Sequence, residues 1–217
     1  MLAGATGLVG REALRLLLAD PGVAQVVALV RRPLSDASAP PKLAVHVVDF
    51  ERLEATTPPF EADQIVCALG STIRQAGSEE RFRAVDFGYP LALARLAVER
   101  GARHLLLVSA LGADPRSRVF YNRVKGELEE ALTALGLPAL SIVRPSLLLG
   151  DRKEFRLGEV LAKPFALLVP GRYRPVHACD VAAALLRLAR EDAPGRRVVE
   201  SETIRAWAAA ERSRTTA

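Results

Sequence analysis

This sequence has few cysteines, no long apolar run and no block of like charge. The 217 residues include 2 cysteines, at positions 67 and 179, so neither a disulfide framework nor a zinc site is expected. No apolar run reaches the roughly 18 residues that a membrane-spanning helix needs. Lys and Arg number 30 against 25 Asp and Glu, but no five like charges are consecutive. We therefore expect no metal, nucleic acid or membrane partner, and a reducing cytoplasm as the compartment.

Short apolar runs alternate with amphipathic segments along the chain. Continuous apolar runs are typical of strands that are buried on both faces, and helical periodicity marks the segments between them. The predicted strands cover residues 25–30, 43–48, 64–69, 104–109 and 139–143, and the predicted helices cover 7–19, 85–100, 118–135 and 180–190. Such alternation builds right-handed βαβ units. We predict an α/β fold with one doubly wound parallel sheet, a single domain over residues 1–217, and residues 151–217 as a small extension on the substrate side.

The first strand is the weak point of this prediction. Only Met1, Leu2 and Ala3 precede Gly4, whereas a central strand usually has five or six residues. We expect that an N-terminal extension of this strand is missing, and that restoring a few apolar residues would raise the melting temperature.

A glycine-rich turn opens the first predicted helix. Glycines spaced three apart allow a tight turn, close approach of a pyrophosphate to the backbone, and packing of the helix on the strand. The helix N-terminus then faces the anion. The sequence thus predicts a dinucleotide site formed by Gly4, Thr6, Gly7, Leu8, Val9 and Gly10.

Arg31 and Arg32 follow the second predicted strand, where dinucleotide enzymes choose between cofactors. A carboxylate at this place binds the ribose 2′-hydroxyl of NAD, whereas arginine accepts the 2′-phosphate of NADP. The arginine pair therefore favours NADP(H) over NAD(H).

Tyr121 and Lys125 lie four residues apart on a predicted helix, so they project from the same face. A nearby ammonium favours the phenolate, which suits the tyrosine to general acid–base work. Ser109, at the end of the preceding strand, could hold a substrate carbonyl or hydroxyl by hydrogen bonding. We predict that Ser109, Tyr121 and Lys125 are catalytic.

With these motifs, the chain resembles the atypical short-chain dehydrogenases/reductases, which have a Rossmann fold. It is most similar to the Tat-interacting-protein-like oxidoreductases and their bacterial relatives. The segments that carry this similarity are CALG at 67–70, VD at 85–86, VS at 108–109, FYNRVKGE at 120–127 and RPSLLL at 144–149.

The resemblance implies a role for each matching residue. Tyr121 would be the proton donor, Lys125 would bind the nicotinamide ribose and lower the pKa of the tyrosine, and Ser109 would orient the substrate. Asp49 would contact the adenine, and the nicotinamide side would be bordered by Leu69, Gly70, Pro145 and Ser146.

The implied function is hydride transfer between NADP(H) and a small carbonyl or alcohol substrate. Two alternatives stay open at this point. One is an NADP-binding sensor or scaffold without turnover, and the other is a nucleotide-sugar epimerase or dehydratase, which normally needs a larger C-terminal portion. Leucine and alanine faces near residues 91–98 and 128–135 would also allow a homodimer.

Overall fold

The computed structural model describes residues 1–34, 40–53, 62–149 and 171–215. Its strands are β1 (Leu2–Ala3), β2 (Val26–Val30), β3 (Leu43–Val47), β4 (Gln64–Cys67), β5 (His104–Val108), β6 (Ala139–Arg144), β7 (Leu148–Leu149), β8 (Val176–His177) and β9 (Gly195–Glu200). Seven of them form one sheet in the order β3-β2-β1-β4-β5-β6-β9, and every pairing in it is parallel. This is the strand order of a Rossmann sheet, so the predicted fold class is confirmed.

Helices cover both faces of this sheet. They are α1 (Leu8–Ala19), α2 (Ile73–Ala76), α3 (Glu79–Arg83), α4 (Tyr89–Glu99), α5 (Phe120–Thr133), α6 (Ala178–Glu191) and α7 (Ser201–Thr215), and a π-helical turn at Ala84–Gly88 joins α3 to α4. One core lies between the sheet and α1, α6 and α7. The second core lies between the sheet and α4 and α5.

Strand β2 shows why the strands have no alternating pattern in the sequence. Val26, Ala28 and Val30 belong to the first core, whereas Val27 and Leu29 belong to the second. Because both faces are covered, every residue of the strand is apolar. Leu93 and Ala97 of α4 and Leu128 and Leu132 of α5 are buried in the second core, so most of these apolar faces pack inside the molecule, and the homodimer stays a prediction.

β1 is a central strand of two buried residues, Leu2 and Ala3. It is paired with β2 on one side and β4 on the other. The expected N-terminal extension stays a prediction.

The region after residue 149 differs most from expectation. The helix predicted over residues 180–190 begins two residues earlier, at Ala178, and has His177 at the cap position. The edge strand β9 and the final helix α7 were not predicted. Residues 151–170 of the predicted extension lie outside the described residues, and none of the described helices is long and apolar enough to cross a membrane.

Candidate active site

Two adjoining clefts lie at the carboxyl end of the sheet. Their volumes are about 900 and 810 Å³, and both are lined by Thr6, Gly7, Leu69 and Gly70. These residues follow β1 and β4, the neighbouring strands at which the strand order reverses. Ligands of open α/β sheets bind at this switch point.

The glycine turn is held together by contacts that exclude side chains. Gly4 has φ +88°, and a Cβ added to it would lie 2.5 Å from the carbonyl oxygen of Ala68. A Cβ on Gly10 would lie 1.9 Å from the carbonyl oxygen of Gly4. Gly7 stands at the cap position of α1, with no side-chain hydrogen bond to the first turn. The turn therefore leaves the helix N-terminus open beside the cleft, while Gly10 packs the helix onto it.

The second cleft ends beside β2 and β3. Arg31 and Asp49 both line it, whereas Arg32 is exposed beside them and is outside the lining of either cleft. The side chain of Asp49 also accepts a hydrogen bond of 2.9 Å from the backbone of Glu51. Tyr89 closes this end, and its hydroxyl donates to Glu51 over 3.1 Å. Burial, followed by that hydrogen bond, raises the pKa of Tyr89 above its ordinary value.

The first cleft contains the other predicted residues. Tyr121, Lys125 and Ser109 line it together with Pro145 and Ser146. Three segments of the fold bring these five residues to one place, facing the glycine turn: the end of β5, helix α5, and the loop after β6. Leu8 and Val9 line the same cleft at the start of α1.

Lys125 is the buried cation of this cleft. Its ammonium nitrogen lies 2.8 Å from Oδ1 of Asp86, with 4% of the Lys125 side chain exposed and none of the Asp86 side chain. Burial works against the charged form, but Asp86 and then Tyr121 outweigh it, so the pKa of Lys125 is raised above its ordinary value. The lysine is thus a fixed positive charge in the cleft that Tyr121 also lines.

Asp86 is in turn held by Ser71, which follows β4. Its Oδ2 accepts one hydrogen bond of 2.8 Å from the Ser71 backbone and one of 2.7 Å from the Ser71 hydroxyl. Gly70 borders the ion pair closely, since a Cβ there would lie 3.3 Å from Asp86 Oδ1 and 3.6 Å from Lys125 Nζ. The segment Gly70-Ser71 after β4 therefore holds the Asp86 carboxylate against the Lys125 ammonium.

Ser109 has a partner that the sequence did not indicate. Its hydroxyl donates to Oε1 of the buried Glu129 over 2.6 Å, and Arg144 grips the same carboxylate at 3.0 and 2.6 Å. The pKa of Arg144 is raised, first of all by its hydrogen bonds to Glu129. Because a carboxylate only accepts hydrogen bonds, the Ser109 proton points to Glu129. Ser109 can offer a ligand only an oxygen lone pair.

Two other side chains near the cleft, those of Ser146 and Cys67, are occupied by structural roles. The hydroxyl of Ser146 donates to the backbone carbonyl of Arg174 over 2.5 Å. Cys67 is buried beneath the site, where loss of water raises the pKa of its thiol to about 11. The thiol therefore stays neutral and packs as a small apolar group.

Sequence reasoning missed Asp86 and Glu129 as parts of the site. The pair Val85-Asp86 contributed to the resemblance. Asp86 becomes the counter-charge of Lys125 only because the π-helical turn packs against α5, and this packing is not visible in the sequence. The signal that could have found Glu129 is an acid on the same helix face as the apolar Val124, Leu128 and Leu132.

Comparison with known proteins identifies the family of this chain. A family profile described as NAD(P)H-binding matches residues 4–192. Protein HTATIP2 of Rattus norvegicus is 37% identical over 182 residues, covering 83% of this chain and 75% of that protein. Protein FMP52, mitochondrial, of Candida albicans is 31% identical over 203 residues, covering 89% of each. Because that name places FMP52 in mitochondria, the cytoplasmic location expected here stays a prediction.

Solved structures share the fold. The double mutant of DesIV, a dTDP-glucose 4,6-dehydratase from Streptomyces venezuelae with NAD and DAU bound, superposes with a TM-score of 0.72 at 18% identity. The match covers 95% of this chain and 77% of that one. At this identity, the likeness concerns the Rossmann fold.

Proposed function

Because this chain belongs to the NAD(P)H-binding family, as an atypical short-chain dehydrogenase/reductase, we propose that it is an NADP-dependent oxidoreductase. Its substrate would be a small carbonyl compound or alcohol. The observation that carries the proposal is that Tyr121 and the Lys125–Asp86 ion pair line the same cleft as the open N-terminus of α1, with Tyr121 near enough to act on the charge of Lys125.

The residues present fit a dinucleotide. A Cβ at Gly4 or Gly10 would clash with the backbone of the glycine turn, and Gly4 and Gly7 line the second cleft without a side chain. The glycine turn would hold the pyrophosphate at the N-terminus of α1. The nucleoside ends would be held by Thr6, Leu8, Val9, Asp49, Leu69, Gly70, Lys125, Pro145 and Ser146, and bound NADP(H) would supply or accept the hydride.

Tyr121 is proposed to give its proton to a carbonyl oxygen, or to take one from an alcohol. Lys125 would favour the phenolate by its charge and hold the nicotinamide ribose by hydrogen bonds. Asp86 would keep the ammonium in position and charged. Ser109, whose proton is held by Glu129, would accept a hydrogen bond from a substrate hydroxyl and would not donate to a carbonyl.

The preference for NADP is proposed from Arg31, which lines the second cleft, with Arg32 beside it. Arginine binds a 2′-phosphate in a bidentate manner, and both guanidinium groups are near solvent, where a phosphate can reach them. Replacing both, in Arg31→Ala/Arg32→Ala, should weaken NADPH binding at least tenfold and NADH binding less than threefold. Equal weakening of both cofactors would reject the proposed role.

The assay for catalysis compares the unmodified protein with Tyr121→Phe on a panel of aldehydes and ketones with NADPH. The phenylalanine variant keeps the ring and removes the proton, so we expect kcat to fall at least 100-fold while NADPH affinity is kept. Equal rates in both proteins would reject Tyr121 as the acid. NADPH binding without turnover on any carbonyl would favour the sensor or scaffold.

A further inference from the structure

The mouth of the first cleft has an unusual share of exposed apolar side chains. Among the described residues, six large apolar side chains are exposed, and three of them, Ile73, Leu147 and Tyr173, line this one cleft. Their exposed fractions are 40%, 40% and 51%. Exposed apolar side chains that gather in one concave place mark a ligand site more often than scattered ones do.

The three side chains come from separate parts of the fold. Ile73 begins the short helix α2, Leu147 lies between β6 and β7, and Tyr173 ends a 3-10 turn at Gly171–Tyr173. The first two parts follow β4 and β6, and the 3-10 turn packs on α7, so the convergence is a property of the tertiary structure. We call these three residues the apolar wall.

The turn that carries Tyr173 is fixed from the C-terminal helix. Arg205 of α7 donates to the backbone carbonyl of Arg174 over 2.9 Å and also to that of Gly171. The hydroxyl of Ser146 reaches the Arg174 carbonyl from the other side. Tyr173 is therefore held over the cleft by three hydrogen bonds to its own turn.

The charges of the cleft do not match a polyanionic substrate. Among the described lining residues, the cations are Arg11 and Lys125, and Lys125 is already paired with Asp86. Arg11 belongs to the first turn of α1, on the side proposed for the cofactor. A nucleotide sugar would bring a diphosphate and several hydroxyls to a wall of hydrocarbon, where unpaired polar groups are costly.

From this geometry we infer that the substrate is an apolar aldehyde or ketone, whose aliphatic or aromatic body lies on Ile73, Leu147 and Tyr173. This inference rests on the proposed function. In the reduction, the carbonyl carbon takes up a hydride from NADPH and the C=O π bond opens. The oxygen takes the proton of Tyr121, so the carbonyl is reduced to an alcohol, NADPH is oxidised to NADP⁺, and the tyrosine regains its proton from water.

The test is a binding series that needs no turnover. Unbranched aliphatic amides with four, six, eight and ten carbons mimic the aldehydes and cannot be reduced, and they are titrated into the full chain with and without NADP⁺. Each added CH₂ that the wall covers should tighten binding about two- to fourfold. UDP-glucose should bind at least 100-fold more weakly than the longest amide.

Variants show whether this gain comes from the wall. Leu147→Ala and Tyr173→Ala should each reduce the gain per CH₂ to less than 1.5-fold. Val98→Ala serves as the matched control, because Val98 has the same 40% exposure as Leu147 and lies outside both clefts. It should leave the series unchanged.

Equal dissociation constants along the amide series, or a series that the two wall variants leave intact, would overturn the inference. So would tighter binding of UDP-glucose than of every amide. A protein that binds the amides as described but fails to bind NADPH would instead contradict the proposed function, so the two failures are told apart.

Discussion

The buried ion pair between Lys125 and Asp86 gives the sharpest prediction for stability. Asp86→Asn keeps the size of the side chain and leaves an oxygen for the two Ser71 donors, but it removes the charge that faces Lys125 over 2.8 Å. Removing one partner of a buried pair strands the other charge, which costs about 3–5 kcal/mol. Because the amide keeps the size of the side chain and an oxygen for the Ser71 donors, we place the loss in the free energy of unfolding at pH 7 near the lower end, about 3 kcal/mol.

The pH dependence of that loss identifies its cause. In the unmodified protein the pKa of Lys125 is raised, so the pair stabilises fully below the ordinary lysine value and fades only as pH rises through the raised one. In Asp86→Asn, burial loses its main opposing influence and should lower the pKa of Lys125, with Tyr121 still acting in the other direction. Between the lowered and the ordinary value the unfolded chain binds more protons, so the stability of the variant rises with pH by up to about 1.4 kcal/mol per unit.

The assay is urea unfolding at pH 6, 7, 8 and 9, followed by the fluorescence of Trp207. Asp63→Asn is the control, since Asp63 has 80% of its side chain exposed and faces Arg103 at 3.7 Å; it should change stability by less than about 1 kcal/mol. The gap between Asp86→Asn and the unmodified protein should narrow as pH rises. A loss below 1 kcal/mol, or a gap in unfolding free energy that stays constant with pH, would show that an unpaired charge on Lys125 is not the cause.

Three further changes test other contacts of the site. Gly10→Ala places a Cβ 1.9 Å from a backbone oxygen, so titration should show that the variant binds NADPH at least tenfold more weakly. In the control Gly88→Ala, the atom nearest to the added Cβ is 4.0 Å away, and NADPH binding should be unchanged. Glu129→Gln should lower the free energy of unfolding by about 3 kcal/mol, whereas the exposed neighbour in Glu130→Gln should change it by less than about 0.5 kcal/mol in the same urea melts. The thiol of Cys67, with a pKa of about 11, should resist a disulfide reagent at pH 8 until the protein is unfolded, and its rapid reaction in the folded state would contradict its burial.

The sheet and the cofactor turn were predictable because their signals are local. Strand β2 is visible in the sequence as a run of apolar residues. The spacing of the glycines at positions 4, 7 and 10 is visible there as well. Tyr121 and Lys125 meet because residues four apart share a helix face. Each of these inferences needs only the period of one element.

Other parts of the site depend on how elements cross. Asp86 lies 39 positions before Lys125 in the sequence, and only the packing of the π-helical turn against α5 brings them to 2.8 Å. Glu129 looks like an ordinary helix charge until β6 supplies Arg144. The edge strand β9 was missed because it is Gly195-Arg-Arg-Val-Val-Glu200, half polar, as a strand exposed along one side can be.

A crystal structure of the NADPH complex would test the proposed cofactor site and the role of Tyr121 together. We expect the pyrophosphate at the glycine turn and the 2′-phosphate beside Arg31. We also expect the nicotinamide ring within about 4 Å of the Tyr121 hydroxyl, with Lys125 in hydrogen-bond reach of its ribose. A dinucleotide bound elsewhere, or a nicotinamide ring turned away from Tyr121, would contradict these roles.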